Sequence, residues 1–187
     1  MREPSELDKG LAARKIFCVV VVMYLDFFLL PALPRHWSAA LENKTLVIGS
    51  LYLTTGDTSY KSSTIVDGND EWRVLRIDNA DYTVISGLTI RNGRIISSSG
   101  DGTEGGGVYI HSSSSNVRLE HLVIEDNYSE QDGGGVYTNA ENFTMEHCLV
   151  RNNFSAFVAG GIASGYWGGF FNEFIIAGNT GSSQGGG

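Results

Sequence analysis

The chain has 187 residues, enough for one domain and a short targeting segment, and its 42 % hydrophobic content supports a packed core. Glycine is abundant at 24 residues and proline scarce at 3, which excludes a Pro/Gly-rich disordered tract. With 13 basic against 21 acidic residues the formal charge is -8, so no nucleic-acid partner is expected, because phosphate recognition calls for a basic stripe.

Residues 1–40 read as a segment apart from the fold. Arg2, Lys9, Arg14 and Lys15 precede an apolar stretch over 16–25, and Ser38, Ala39 and Ala40 offer the small residues that a signal peptidase reads. Asp26 and the apolar residues 27–30 leave two alternatives open. One is an uncleaved anchor that buries the Asp26 carboxylate at a cost; the other is an opening segment unrelated to the domain. Cys18 lies in this run and Cys148 far downstream, so neither a disulfide between them nor a metal-ligand spacing is expected.

The domain is expected over 41–187, and its organising feature is a repeat. Glycine clusters stand at 105–107, 133–135, 160–161 and 185–187; Gly134, Gly160 and Gly186 are 26 residues apart, and Gly106 precedes Gly134 by 28. Asn127, Asn153 and Asn179 keep the 26-residue step, each following a strand-like run. The runs 83–90, 117–124, 143–150 and 169–176 align without gaps. The first precedes the second by 34, and the Ser/Gly-rich stretch 96–104 is the expected insertion.

Three columns are apolar in every copy: Ile85/Leu119/Met145/Phe171, Leu88/Leu122/Cys148/Phe174 and Ile90/Ile124/Val150/Ile176. The last two show the alternation of a strand, while a bend must lie between the first two. The pattern predicts an all-β, single-stranded parallel solenoid of about 26 residues per coil, whose coils bury their apolar faces only by stacking. Asn127, Asn153 and Asn179 are then expected to form a ladder at one corner, each adopting a left-handed turn and bonding along the stack. Glycines supply the other corner. Cys148 reads as a small buried hydrophobe.

The Gly-Gly-Gly-Val-Tyr turns and the strands ending in Asn resemble right-handed parallel β-helix repeats of bacterial surface proteins, namely polymorphic outer-membrane proteins and autotransporter passengers. The stretch 50–60 followed by 64–69 resembles the opening coils of pectate-lyase-like secreted proteins. The resemblance spans 41–187 and implies a right-handed β-helix, export to the bacterial outer membrane or outside, and a fragment of a longer helix, since no capping coil follows the last Gly turn. It does not imply one activity, because this fold hosts adhesins, lyases and hydrolases alike.

Several groups are candidates for chemistry. Arg91, Glu125 and Arg151 share a column; a polysaccharide lyase needs a base beside a uronate, which makes Arg91 and Arg151 the candidates, and an exposed charge ladder is the alternative. His121 and His147 share a column between Gly87 and Glu173, with Glu120 and Glu146 beside them, suited to acid–base work, a divalent metal or a plain polar corner. Asp101, Glu104, Asp126, Glu130 and Asp132 are the residues that would hold Ca²⁺, though no EF-hand spacing supports them; otherwise no cofactor is expected. Tyr166 and Trp167 are the aromatic ligand-binding candidates. Asn-X-Ser/Thr sequences at Asn43, Asn127, Asn142 and Asn153 mostly fall on turns that the repeat explains.

Together these readings favour a non-catalytic secreted or cell-surface protein that binds a glycan or a host or cell-surface partner. A carbohydrate-active enzyme of lyase type, with its site partly outside this segment, is the alternative. Membrane association is expected only through residues 1–40 or a further C-terminal domain.

Overall fold

The computed structural model describes the backbone of residues 39–42 and residues 45–96, 102–165 and 169–183. The segments read as signal or anchor, Cys18, and the candidates Tyr166 and Trp167 lie outside the described residues. Ala39–Glu42 is already a strand, so pairing with the fold begins within the small-residue sequence expected to be processed.

Short parallel strands stack into four sheets. The first contains Val47–Gly49, Val84–Ser86, Arg118–Glu120, Thr144–Glu146 and Phe170–Asn172. The second contains Ile65–Asp67, Thr89–Arg91, Val123–Glu125, Leu149–Arg151 and Ile175–Ala177. The third contains Arg94–Ile95, Tyr128–Ser129, Phe154–Ser155 and Thr180–Gly181. The fourth contains Ala39–Glu42, Leu75–Asp78, Val108–Ile110, Val136–Thr138 and Ile162–Ser164. The chain visits the sheets in turn, laying one strand on each before starting the next layer, save that the passage from Ile65–Asp67 to Leu75–Asp78 adds no strand to the third sheet.

The apolar columns are the registers of these sheets. Ile85 pairs with Leu119, Leu119 with Met145, and Met145 with Phe171. Ile90 pairs with Ile124, Ile124 with Val150, and Val150 with Ile176. Leu88, Leu122 and Cys148 join Ile85, Leu119, Met145, Ile90, Ile124 and Val150 in one continuous buried cluster, with Phe171 packed against it, while Ile176 in the last layer is exposed. None of these short strands could bury its inner face alone; parallel neighbours above and below supply both the backbone bonds and the apolar contact.

Four turns bend a layer, one more than the sequence suggests, and each contains a left-handed residue. In one layer these are His121 (φ 54°), Asp126 (φ 55°), Gly133 (φ 63°) and Asn142 (φ 53°). The same positions in the next layer are His147, Asn152, Ala159 and, downstream, Glu173 and Gly178 continue two of the columns. The left-handed residue between the first and second sheets rotates the chain, which is why Met145 and Cys148 both point inward although they are three positions apart. It also accounts for the break in strand alternation.

The insertion is divided. The offset between partners falls from 34 residues at Arg94–Tyr128 to 28 at Val108–Val136 and 26 at Arg118–Thr144. Six of the eight extra residues therefore lie between Ile95 and Val108, within or beside the expected stretch, and two in the Ser-rich turn after Ile110. The stretch 50–63 adds two helical turns, α1 (Tyr52–Thr55) and α2 (Ser59–Ser63), that the repeat pattern does not announce. Gly56 closes α1 at φ 71° and donates its N–H to the Tyr52 carbonyl, while the Asp57 carboxylate accepts the Ser59 N–H at 2.9 Å to start α2. Among the described residues no helix is long and apolar enough to cross a membrane.

Candidate functional site

The turn between the second and third sheets is held by asparagine amides. Asn127 Nδ2 donates to Asn153 Oδ1 (2.9 Å) and to the Ile90 carbonyl (3.3 Å), and the Asn127 N–H also reaches Asn153 Oδ1 (3.0 Å). One layer on, Asn153 Nδ2 donates to Asn179 Oδ1 (3.0 Å) and the Ile124 carbonyl (2.9 Å). At the first layer Gly93 takes the asparagine position and donates its N–H to Asn127 Oδ1 at 2.8 Å. Asn127 and Asn153 are buried, and their side-chain bonds, three for Asn127 and four for Asn153, explain how a polar side chain resides there. The left-handed residue at this corner is not the ladder asparagine but the one before it, namely Asn92, Asp126, Asn152 or Gly178. An amide that must point along the stack needs its own backbone in register with the layers, so the turn falls on its neighbour.

The glycine turn between the third and fourth sheets works by crowding. A Cβ on Gly106 would lie 2.2 Å from the Tyr128 carbonyl oxygen, and one on Gly134 2.3 Å from that of Phe154. Pairing of Leu75 with Val108 places Arg73 opposite Gly106 in the preceding layer. Arg73 is 2 % exposed, and its guanidinium donates to the carbonyls of Gly105 (3.1 Å), Glu104 (2.9 Å) and Gly102 (3.2 Å) while lying 4.7 Å above the Tyr109 ring. It ties the end of the insertion to the stack, a role that no sequence signal discloses.

The expected chemical candidates are distributed along the surface. Arg91 pairs with Asp67 at 2.8 Å and Arg151 with Glu125 at 2.6 Å, so their column, Asp67–Arg91–Glu125–Arg151, alternates in sign. His121 and His147 stack with ring centroids 4.6 Å apart and planes 2° from parallel, and His147 Nδ1 lies 3.0 Å from Glu173 Oε2. Burial, then the Lys61 ammonium and the His147 ring, hold His121 below its ordinary value, against the opposing pull of Glu146. Among the described residues no group of three or more His, Cys, Asp or Glu side chains is placed to hold a metal ion. Cys148 is a free thiol inside the core; desolvation pushes it up to about 12, so it stays protonated and apolar in behaviour.

Sequence reasoning missed the outer aromatic columns. On the fourth sheet Tyr109 and Tyr137 point away from the core and stack at 5.6 Å, with planes 9° apart. On the third, Tyr128 and Phe154 stack at 5.5 Å and 8°. In each column an arginine occupies the layer before the rings: Arg76 lies 5.5 Å from the Tyr109 ring and Arg94 4.8 Å from that of Tyr128. Each is followed by a smaller residue in the next layer, Ala163 beside Tyr137 and Thr180 beside Phe154. The outward positions of the Gly-Gly-Gly-Val-Tyr turns held the signal, since Tyr109 and Tyr137 recur at one repeat position.

Comparison of the chain with protein-family models, with curated proteins and with solved structures finds no match.

Proposed function

We propose that the chain forms a right-handed parallel β-helix with about 26 residues per coil, exported to the cell surface or beyond, that binds a glycan or another surface partner along its lateral face. The observation that carries this reading is the pair of arginine-headed aromatic columns on adjoining outer faces. Rings stacked along the axis offer their edges and, for tyrosine, their hydroxyls sideways at every layer, and an open ring face where the column meets a smaller residue. Tyr137 beside Ala163 and Phe154, 36 % exposed, beside Thr180 are such ends. Aromatic rings with polar tips are the side chains that anchor interfaces and sugar rings best. The Asn139 amide, 3.0 Å from the Tyr137 hydroxyl, adds a polar group at the same place.

The experiment is retention of the protein on immobilised polysaccharides and on cell surfaces, with a Tyr109→Ser/Tyr137→Ser double variant as comparison. Loss of the two rings is expected to lower retention at least ~10-fold, as anchor truncation does, while the circular dichroism spectrum stays β-rich. Equal retention of parent and variant, or no retention of the parent on any surface, overturns the proposal.

A further inference from the structure

The column at the turn between the first and second sheets is completed by a residue from outside the repeat. Its members are Gly87, His121, His147 and Glu173. Gly87 has no side chain, and a Cβ there would lie 2.7 Å from Tyr52 Cβ. Tyr52, on α1, therefore fills the vacant place, and its ring meets that of His121 at 4.8 Å with the planes tilted by 51°. Lys61, on α2, sets its ammonium over the Tyr52 ring, 4.9 Å from its centre. The Lys61 carbonyl accepts the Thr89 hydroxyl at 2.7 Å, and the Ser50 hydroxyl donates to the Gly87 carbonyl. The result is an array running Lys61, Tyr52, His121, His147, Glu173, cationic at one end and anionic at the other.

We infer that this array is an acid-sensitive latch, holding residues 51–63 against the stack at neutral pH and releasing them on acidification. The two imidazoles differ in what faces them. His147 Nδ1 faces the Glu173 carboxylate at 3.0 Å. His121 lies between His147 and Tyr52, with Lys61 behind the tyrosine; the nearby carboxylates are Glu146 and Glu120, and Arg118 engages both. A proton on His121 thus sets a cation against the His147 ring with the Lys61 ammonium nearby, and it weakens the one contact that joins the Tyr52 ring to the stack. The sign follows from linkage. His121 in the folded protein sits below the 6.5 of a free imidazole, so the released state binds more protons, and attachment is complete above that value and lost as pH falls below it.

Hydrogen exchange of the full chain, corrected for the chemical rate and compared at about pH 7.5 and about pH 4.5, tests this. Protection within 51–63 is expected to fall at least ~10-fold at the lower pH, while Val123–Glu125 and Leu149–Arg151 keep theirs. His121→Asn, a residue that tolerates the left-handed turn, is expected to abolish the pH dependence. Lys61→Met, which leaves both imidazoles and the fold in place, is expected to move release to lower pH. Unchanged protection in the parent, or release at the same pH in Lys61→Met, overturns the latch. So does an equal pH-dependent loss in a folded His121→Asn.

Discussion

The asparagine turn and the glycine turn solve the same problem by opposite means. Both must let the backbone change direction at nearly the same point in every layer. At the first, side chains fill the interior of the turn: Asn127 and Asn153 satisfy backbone and each other, so the bend is held by bonds between layers. At the second, side chains are excluded: Gly106, Gly134 and Gly160 lie so near the carbonyls of the next layer that a methyl group has no room. The contrast teaches that a recurring polar residue and a recurring glycine are equally structural, but they fail differently. One loses bonds and the other gains a clash.

The largest effect should come from the crowded turn. A methyl on Gly134 would meet two backbone oxygens, of Phe154 at 2.3 Å and of Gly160 at 2.6 Å, and neither can swing away like a side chain. Gly134→Ala is expected to cost about 3 kcal/mol or more in urea unfolding, at the upper end for overpacking. A cost under about 1 kcal/mol would mean that the layers part easily there, and the distinction between the turns would weaken.

Asn153→Leu should come next, at roughly 2–3 kcal/mol, because it strands the Asn127 amide and the Ile124 carbonyl in a dry turn. A change within about 0.5 kcal/mol would show that the ladder is ornamental. The smallest expected effect has the opposite sign. Ala159 stands at φ 52° where Gly105 and Gly133 stand in the layers before it. Ala159→Gly relieves that left-handed strain and is expected to raise the unfolding free energy by about 0.5–1 kcal/mol, after the greater freedom of the unfolded glycine is deducted. Destabilisation instead would indicate that the Ala159 methyl packs usefully.

The buried columns were legible because equivalence along this chain is a matter of counting. Ile124 must meet Val150 if the layers stack in parallel, and no other knowledge is needed. Parallel strands in stacked sheets follow from that spacing and are what the structure contains. The left-handed residues were legible only in part. Asparagine is common in that conformation, so the recurring Asn127 and Asn153 drew the assignment, whereas the turn is made by Asp126 and Asn152 and the recurring amides serve as bonds. Residue type alone does not separate these two uses of asparagine. Glu173 in a left-handed turn carried no signal, since glutamate is not among the residues enriched in that region, whereas histidine is.

By itself, the sequence determined which residues face inward and which lie above one another, because translation by a constant number of residues maps each layer onto the next. Only the tertiary structure decided what fills the places where that translation fails. Tyr52 enters the gap at Gly87, and Arg73 holds the carbonyls that end the insertion. Neither contact has a period to betray it. Each is chosen by the shape of a vacancy and by unsatisfied carbonyls, which exist only once the layers are stacked.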